Sequence, residues 1–368
     1  MKFRLFIFIT TLATAIFASC SADGDSLPEL VVSENSDIEI SLGLTTDNMD
    51  SSSSMRSAVE SDENLNFSLN ENNGGLGIYC LSTSKLTAKA SIPEIDWTVS
   101  ANNVCMNNVY ATAQPKNFGQ GLVTQIQWDN HYYYPQGGWY KYRLYGYSPR
   151  VATPVITAGT ITVDFELDGT QDVIWGRTSS ADYCASYFTT HVGETPALGL
   201  QHCLACLKFR AIAGDNNGDI TVESRGIRVT GISVMNVPVH QTLTIANRLN
   251  PEEEGMLVPK EGTANASVYL RDDISGSGSY LNGLYKIKTT HTDINPLVIG
   301  DEMMLPPSSH YYIKVTMCDK LGNDCSPQGY FRIAPTGSSF EAGKIYWIQM
   351  RISAKPEDAP GGIEIIND

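Results

Sequence analysis

Basic residues are scarce. The 368-residue chain carries 25 Lys and Arg against 40 Asp and Glu, for a formal net charge of -15. Phosphate binding needs basic patches, so this balance excludes nucleic acid as a partner and argues against charge-driven docking on anionic lipid. The six histidines are scattered, with no H-x-x-x-H or H-x-H pair. There is no G-x-S-x-G elbow and no P-loop. Asp215-Asn216-Asn217-Gly218-Asp219 looks calcium-like, but its glycine falls at position four and no glutamate stands at position twelve, so it reads as a turn. No metal site, no cofactor and no catalytic constellation emerge, and the chain reads as a non-enzyme. Nor does any run of helical period exceed three turns.

The cysteines form no framework. There are eight, and setting Cys20 aside leaves Cys80, Cys105, Cys184, Cys203, Cys206, Cys318 and Cys325, an odd number that cannot all pair. Cys203 and Cys206 form a lone C-x-x-C. On a strand an offset of three places them on opposite faces, so they read as buried small hydrophobes. His202 beside them reads as a hydrogen-bonded core histidine. Cys318 and Cys325 flank a hairpin-like loop and are the candidate disulfide pair, given an oxidising compartment.

Only one apolar run stands out. Lys2 and Arg4 precede Leu5–Phe17, and Phe17-Ala18-Ser19-Cys20 follows as a lipobox-like site. The run is short of the roughly 20 residues a membrane span needs, and no other stretch is long enough. Residues 1–19 are therefore expected as a signal peptide, Cys20 as an acylated N-terminus, and 20–37 as a polar tether to the outer membrane. Cleavage would remove Lys2 and Arg4 and no acid, leaving the body more acidic still.

The remainder reads as strand after short strand. Ile38, Ile40, Leu42 and Leu44 recur with a period of two, the pattern of a half-buried strand. A Ser- and Asp-rich stretch from Thr45 to Ser61 follows, unable to bury apolar area, with Arg56-Ser57 inside it. Leu76–Leu81, Ile161–Leu167, Tyr311–Thr316 and Gly343–Ile352 are further strands. Trp139–Tyr147 is strongly aromatic, with Lys141 and Arg143 pointing outward and Ser148-Pro149 ending it. Trp128, Tyr132, Tyr133, Tyr134 and Trp139 make either a sugar platform or an aromatic core with a turn at Pro135–Gly138. Leu198–Ile212 is apolar on both faces and is expected as one central strand. The expectation is an all-β protein of two sandwich-type domains, 38–195 (with a removable first segment, 38–56) and 196–368.

These pieces, in this order, resemble the fimbrillin (Mfa-like) family of Bacteroidales lipoproteins. The likeness rests on the lipobox at Cys20 followed by Asp23 and Asp25, similar to a surface-export tag. It continues through the alternating first strand, the loop Arg56-Ser57-Ala58, Tyr145-Gly146-Tyr147-Ser148-Pro149 and Asp172-Val173-Ile174-Trp175. It ends on the apolar strand around His202 and Gly343-Lys344-Ile345-Tyr346-Trp347. The departures are Phe17 in the lipobox and the number of cysteines. The resemblance implies two transthyretin-like β-sandwich domains in tandem and a stalk or tip subunit of a surface fimbrium. Its partners would be other fimbrial subunits and a host or bacterial surface ligand. It implies cutting after Arg56, release of the first strand, and filling of the vacated groove by another subunit. Losing Ile38, Ile40, Leu42 and Leu44 would expose apolar surface and unpaired edges, a template for strand addition. Burying four such side chains contributes roughly 6–10 kcal/mol before ordering costs. Ile363, Ile365 and Ile366 form the candidate donor strand. The alternative is a monomeric surface lipoprotein or pilus anchor that binds glycan.

Overall fold

The computed structural model describes residues 38–45, 74–86, 88–99, 104–117, 122–135, 139–179, 183–272, 281, 285–335, 337–358 and 363–367. Among them the chain is nearly all strand. One-turn helices occur at Tyr187–Thr190 and Val222–Arg225, and a 3-10 turn at Pro251–Glu253.

The N-terminal part contributes β1 (Gly43–Thr45), β2 (Leu76–Lys85), β3 (Val104–Asn117), β4 (Leu122–Gln127) and β5 (Tyr140–Ser148). A hairpin, β6 (Val155–Ile156) and β7 (Thr160–Glu166), precedes β8 (Ile174–Thr178) and β9 (Ala197–His202). Seven of these close into a barrel in the order β1-β4-β3-β2-β5-β8-β9. Where a sandwich-type domain is expected, seven strands of the N-terminal region close on one another. The reason is β1, which pairs antiparallel with β4 on one side and parallel with β9 on the other.

The later strands are β10 (Ala205–Ala213), β11 (Arg228–Val237), β12 (His240–Asn247), β13 (Leu257–Pro259), β14 (Ala266–Tyr269) and β15 (Tyr285–Lys286). They end with β16 (Leu297–Leu305), β17 (Tyr311–Cys318), β18 (Phe331–Ile333), β19 (Ile345–Ile352) and β20 (Ile363–Asn367). One sheet runs β16-β10-β19-β20 and another β14-β11-β17-β18, with β15 beside β11. Phe209, Ile299, Ile348 and Met350 from the first meet Ile232, Ile313, Val315 and Met317 from the second in one core.

A fourth sheet, β13-β12-β7-β6, covers the barrel. Its Ile161, Val163, Leu243 and Ile245 share a core with Ile40, Leu42, Ile78 and Leu144 of the barrel. β9, β12 and β13 all lie beyond residue 195 yet serve this first core, so chain order and core membership do not run together. Leu198–Ile212 bends at Cys203-Leu204 and becomes two strands, β9 in the barrel and β10 in the C-terminal sheet. β10 is buried on both faces along most of its length, whereas β9 alternates and leaves Gln201 exposed.

Periodicity and packing agree for β7 and β17, where buried and exposed residues alternate. β5 is half of each. Lys141 and Arg143 are partly exposed, as expected, but from Leu144 onward both faces are buried. β2 is buried on both faces along most of its length. A disulfide joins Cys80 of β2 to Cys105 of β3, with Cα atoms 5.3 Å apart. Cys318 and Cys325 are not bonded. Cys318 sits opposite Asp324, and the Cys325 N–H donates to Met317. That one-residue offset turns Cys325 into the core beside Met317 and Cys318 away from it.

The bond between Cys80 and Cys105 closes a loop with a sequence separation of 25. Replacing both by Ala is expected to cost roughly 2–4 kcal/mol, read as a lower urea midpoint. The double variant Cys318→Ala/Cys325→Ala keeps that disulfide and is expected to lose stability on reduction by the same amount as the parent.

Candidate functional site

Residues 38–45 occupy a slot in the barrel wall. On one side the Ile40 N–H donates to the Tyr132 carbonyl (2.7 Å), Tyr134 donates to Ile38 (2.9 Å) and Ile126 donates to Leu42 (3.0 Å). On the other, the Gly43 N–H donates to Pro196 (2.8 Å), and Gly43, Leu44 and Thr45 stand in register with Ala197, Leu198 and Gly199. Ile40 and Leu42 are fully buried, and Ile38 and Leu44 are partly buried against the same core. All four expected inward residues therefore face inward. Only 43–45 form a regular strand; the rest is extended chain with a bridge between Glu39 and Tyr133. Glu39 Oε1 also lies 2.5 Å from His131 Nδ1. Both side chains are well exposed, so this pair adds little.

Without residues 38–45 the barrel would have two free edges, β4 with Tyr132–Tyr134 on one side and β9 on the other. An unpaired edge beside an apolar slot is a template for another strand. Cys20, Arg56 and Ser57 lie outside the described residues. The backbone of 363–367 is described: β20 pairs antiparallel with β19, Ile352 opposite Ile363 and Met350 opposite Ile365, and forms the outer edge of its sheet. The candidate donor and the slot thus belong to different sheets.

The surroundings of the slot are tied down by polar contacts. Glu254, on the loop between β12 and β13, accepts from Tyr145 Oη (3.1 Å) and pairs with Arg177, with Arg143 at 4.0 Å. Its carboxylate is nearly fully buried. The next residue, Gly255, has φ +79°, and a Cβ there would lie 2.4 Å from the Trp175 ring, so glycine is required by both conformation and space. The Trp175 indole N–H donates to the Ile245 carbonyl (2.9 Å).

His202 Nδ1 lies 2.8 Å from Asp172 Oδ2. Burial works against the charged imidazole, but the Asp172 carboxylate more than offsets it, and the His202 pKa is raised above the ordinary value. The partner is a carboxylate reached across the β8–β9 pair, which sequence reasoning did not supply. Burial pushes the Cys203 thiol up to about 12 and raises Cys206 as well. Both thiols are buried and unbonded, in keeping with the reading of buried small hydrophobes. Among the described residues no cluster of three or more His, Cys, Asp or Glu could hold a metal ion.

The aromatic stretch divides. Tyr134 is core, meeting Tyr142 edge-on and Phe188 at a tilt. Trp128 and Tyr132 meet edge to face, 6.4 Å apart. Tyr133 and Trp139 are 44% and 45% exposed, with Lys89 over the Trp139 ring.

No family model matches the chain, and no curated protein matches its sequence. Solved structures similar to it include a "putative cell adhesion protein" of Bacteroides uniformis (TM-score 0.48, 11% identity, covering 90% of this chain and 96% of that one). A fimbrial assembly protein of Parabacteroides distasonis has a TM-score of 0.42 at 11% identity, covering 90% and 95%. The fimbrial anchor protein Mfa2 of Porphyromonas gingivalis has a TM-score of 0.36 at 7% identity, covering 90% and 96%. With TM-scores below 0.5, none of these similarities assigns a role to this chain.

Two outcomes are expected. Leu42→Ala removes a fully buried side chain and should cost about 2–5 kcal/mol, seen as a lower urea midpoint. The raised His202 pKa adds stability that is fully present below the unfolded-state value of about 6.5 and is lost as pH rises through the folded value. Urea midpoints from pH 5 to 9 should fall across that window in the parent, and His202→Gln should flatten the fall.

Proposed function

We propose that the chain is a non-enzymatic structural subunit, stalk or tip, of a cell-surface fimbrium. It is exported as a lipoprotein through Cys20 and assembled by strand exchange after cleavage near Arg56. The observation that carries this reading is the position of residues 38–45: among the described residues they bridge β4 and β9, and their removal leaves two backbone edges flanking an apolar slot. The sequence resemblance supports it independently, through the lipobox, the loop arginine and the order of the later strands. In this reading the two-sheet C-terminal core is one transthyretin-like sandwich. The barrel with its covering sheet is the other, closed by the strand that is to leave. The segment 46–56 links that strand to the cut. The incoming strand comes from another fimbrial subunit, with Ile363, Ile365 and Ile366 as the donor held in the free subunit at a sheet edge. Release from an edge breaks one ladder of hydrogen bonds instead of two. The location is the outer membrane for the precursor and the fimbrium for the processed form, and adhesion to a host or bacterial surface is the outcome.

A second reading is favoured by the exposed Trp139 and Tyr133. It is a monomeric surface lipoprotein or pilus anchor binding glycan at that platform, with the first strand kept in place.

The chain from Ser21 to Asp368, cut briefly with an arginine-specific protease and run unboiled on a gel, separates the two. Strand exchange gives loss of the segment up to Arg56 and a ladder of stable multimers, both abolished in Arg56→Ala. A cut at Arg56 with no ladder, or full protection of Arg56, overturns the proposal in favour of the second reading.

A further inference from the structure

The outer face of the β14-β11-β17-β18 sheet carries a groove unrelated to the first-strand slot. Its volume is about 440 Å³, and its lining includes Met235, Asn236, Asn265, Tyr312 and Tyr330. The ladder register shows how it is built. Met235 of β11 stands opposite Tyr312 of β17, which stands opposite Arg332 of β18. One step along, Ser233 stands opposite Lys314. Residues two apart share a face, so Tyr330, two before Arg332, joins Tyr312 and Lys314 on the outer side. The intervening Ile313, Val315 and Ile333 point into the core.

Met235 forms a low floor, its sulfur accepting from the Ser233 and Ser267 hydroxyls, each at 3.5 Å. Tyr312 and Tyr330 stand up from it, 40% and 61% exposed. The Tyr312 ring is braced edge-on by His310, with centroids 5.1 Å apart. Across the floor, β11 bulges between Val234 and Val237, and Asn236 takes φ +59°. That bulge brings Asn236 to Asn265, whose Nδ2 donates to the Asn236 carbonyl (3.2 Å). Exposed rings on one wall and side-chain amides on the other suit a sugar, which offers apolar C–H faces and hydroxyls together.

Charge narrows the class. In a chain of net charge -15, the two residues that extend this face are cations, Lys314 and Arg332. Both are exposed, and neither forms an ion pair among the described residues. Most other cations near the sheets are committed: Lys208 to Glu302, Arg225 to Glu357, Lys260 to Asp164 and Arg271 to Asp168. We infer that this groove binds an acidic glycan, stacking a sugar ring on Tyr312 and Tyr330 and pairing its carboxylate with Lys314 and Arg332. The site is separate from the first-strand slot, since none of its residues belongs to the barrel.

The test uses the chain from Ser21 to Asp368, uncut, which holds every described residue. Titration calorimetry with 3′-sialyllactose, tri-galacturonic acid and neutral lactose reads both class and charge. One or both acidic sugars should bind at least about tenfold more tightly than lactose, the scale of one charge-assisted contact, and the preference should weaken with added salt. Lys314→Gln/Arg332→Gln should erase that preference. Tyr312→Ala/Tyr330→Ala should abolish binding of all three; a circular-dichroism melt matching the parent shows that these exposed replacements leave the fold intact. Equal affinity for lactose, or no binding by either acidic sugar, overturns the inference. So does binding that survives Tyr312→Ala/Tyr330→Ala, and loss of that binding in Trp139→Ala would transfer it to the N-terminal platform. The protease ladder assay is run separately, so failure here leaves the assembly reading standing and failure there leaves this one.

Discussion

Closure of the barrel by a short N-terminal segment is the constraint on which the rest of the N-terminal region depends. Residues 38–45 meet β4 and the Tyr132–Tyr134 chain on one side and β9 on the other. A closed barrel has no edge, and an open one has two. The segment therefore does two physical jobs. It satisfies backbone donors and acceptors on both flanking strands, and it fills the interior with Ile40 and Leu42. Each fully buried aliphatic side chain is worth roughly 1.5–3 kcal/mol. The backbone pairing adds direction and register, which area alone does not supply.

The remainder of the barrel does not rely on that segment alone. β12 returns from later in the chain to pair with β7, β13 pairs with β12, and their sheet covers the barrel. Glu254 docks between Tyr145 and Arg177, and Gly255 lets the loop approach the Trp175 ring. A buried carboxylate with these partners fixes the position of the loop, since any shift would strand a charge away from water. The disulfide between Cys80 and Cys105 ties β2 to β3 on the far side of the wall. β2, β3, β5, β7 and β8 are also held by contacts that do not involve residues 38–45.

The polar and thiol side chains that first suggest chemistry prove to be structural. His202 is held by Asp172, and Cys203 and Cys206 are buried thiols raised beyond the neutral range. Exposed aromatic side chains include Trp139 and Tyr133 beside the barrel and Tyr312 and Tyr330 on the C-terminal sheet, the last two near Asn236 and Asn265.

The sequence by itself determined the local facts. The period of two in Ile38–Leu44, in β7 and in β17 dictates which residues point inward, because alternation on a strand is a property of the backbone. The scarcity of basic residues argues against nucleic acid as a partner. Only the tertiary structure decided which strands become neighbours. It turned Leu198–Ile212 into two strands in two sheets, bent at Cys203-Leu204. It paired Cys80 with Cys105 and separated Cys318 from Cys325 by one step of register. It brought Asp172 to His202, and it set Tyr330 beside Tyr312 and Lys314. Each of these rests on strand pairing between distant segments, and pairing is chosen by the sum of packing over a whole sheet, which no short stretch of residues contains.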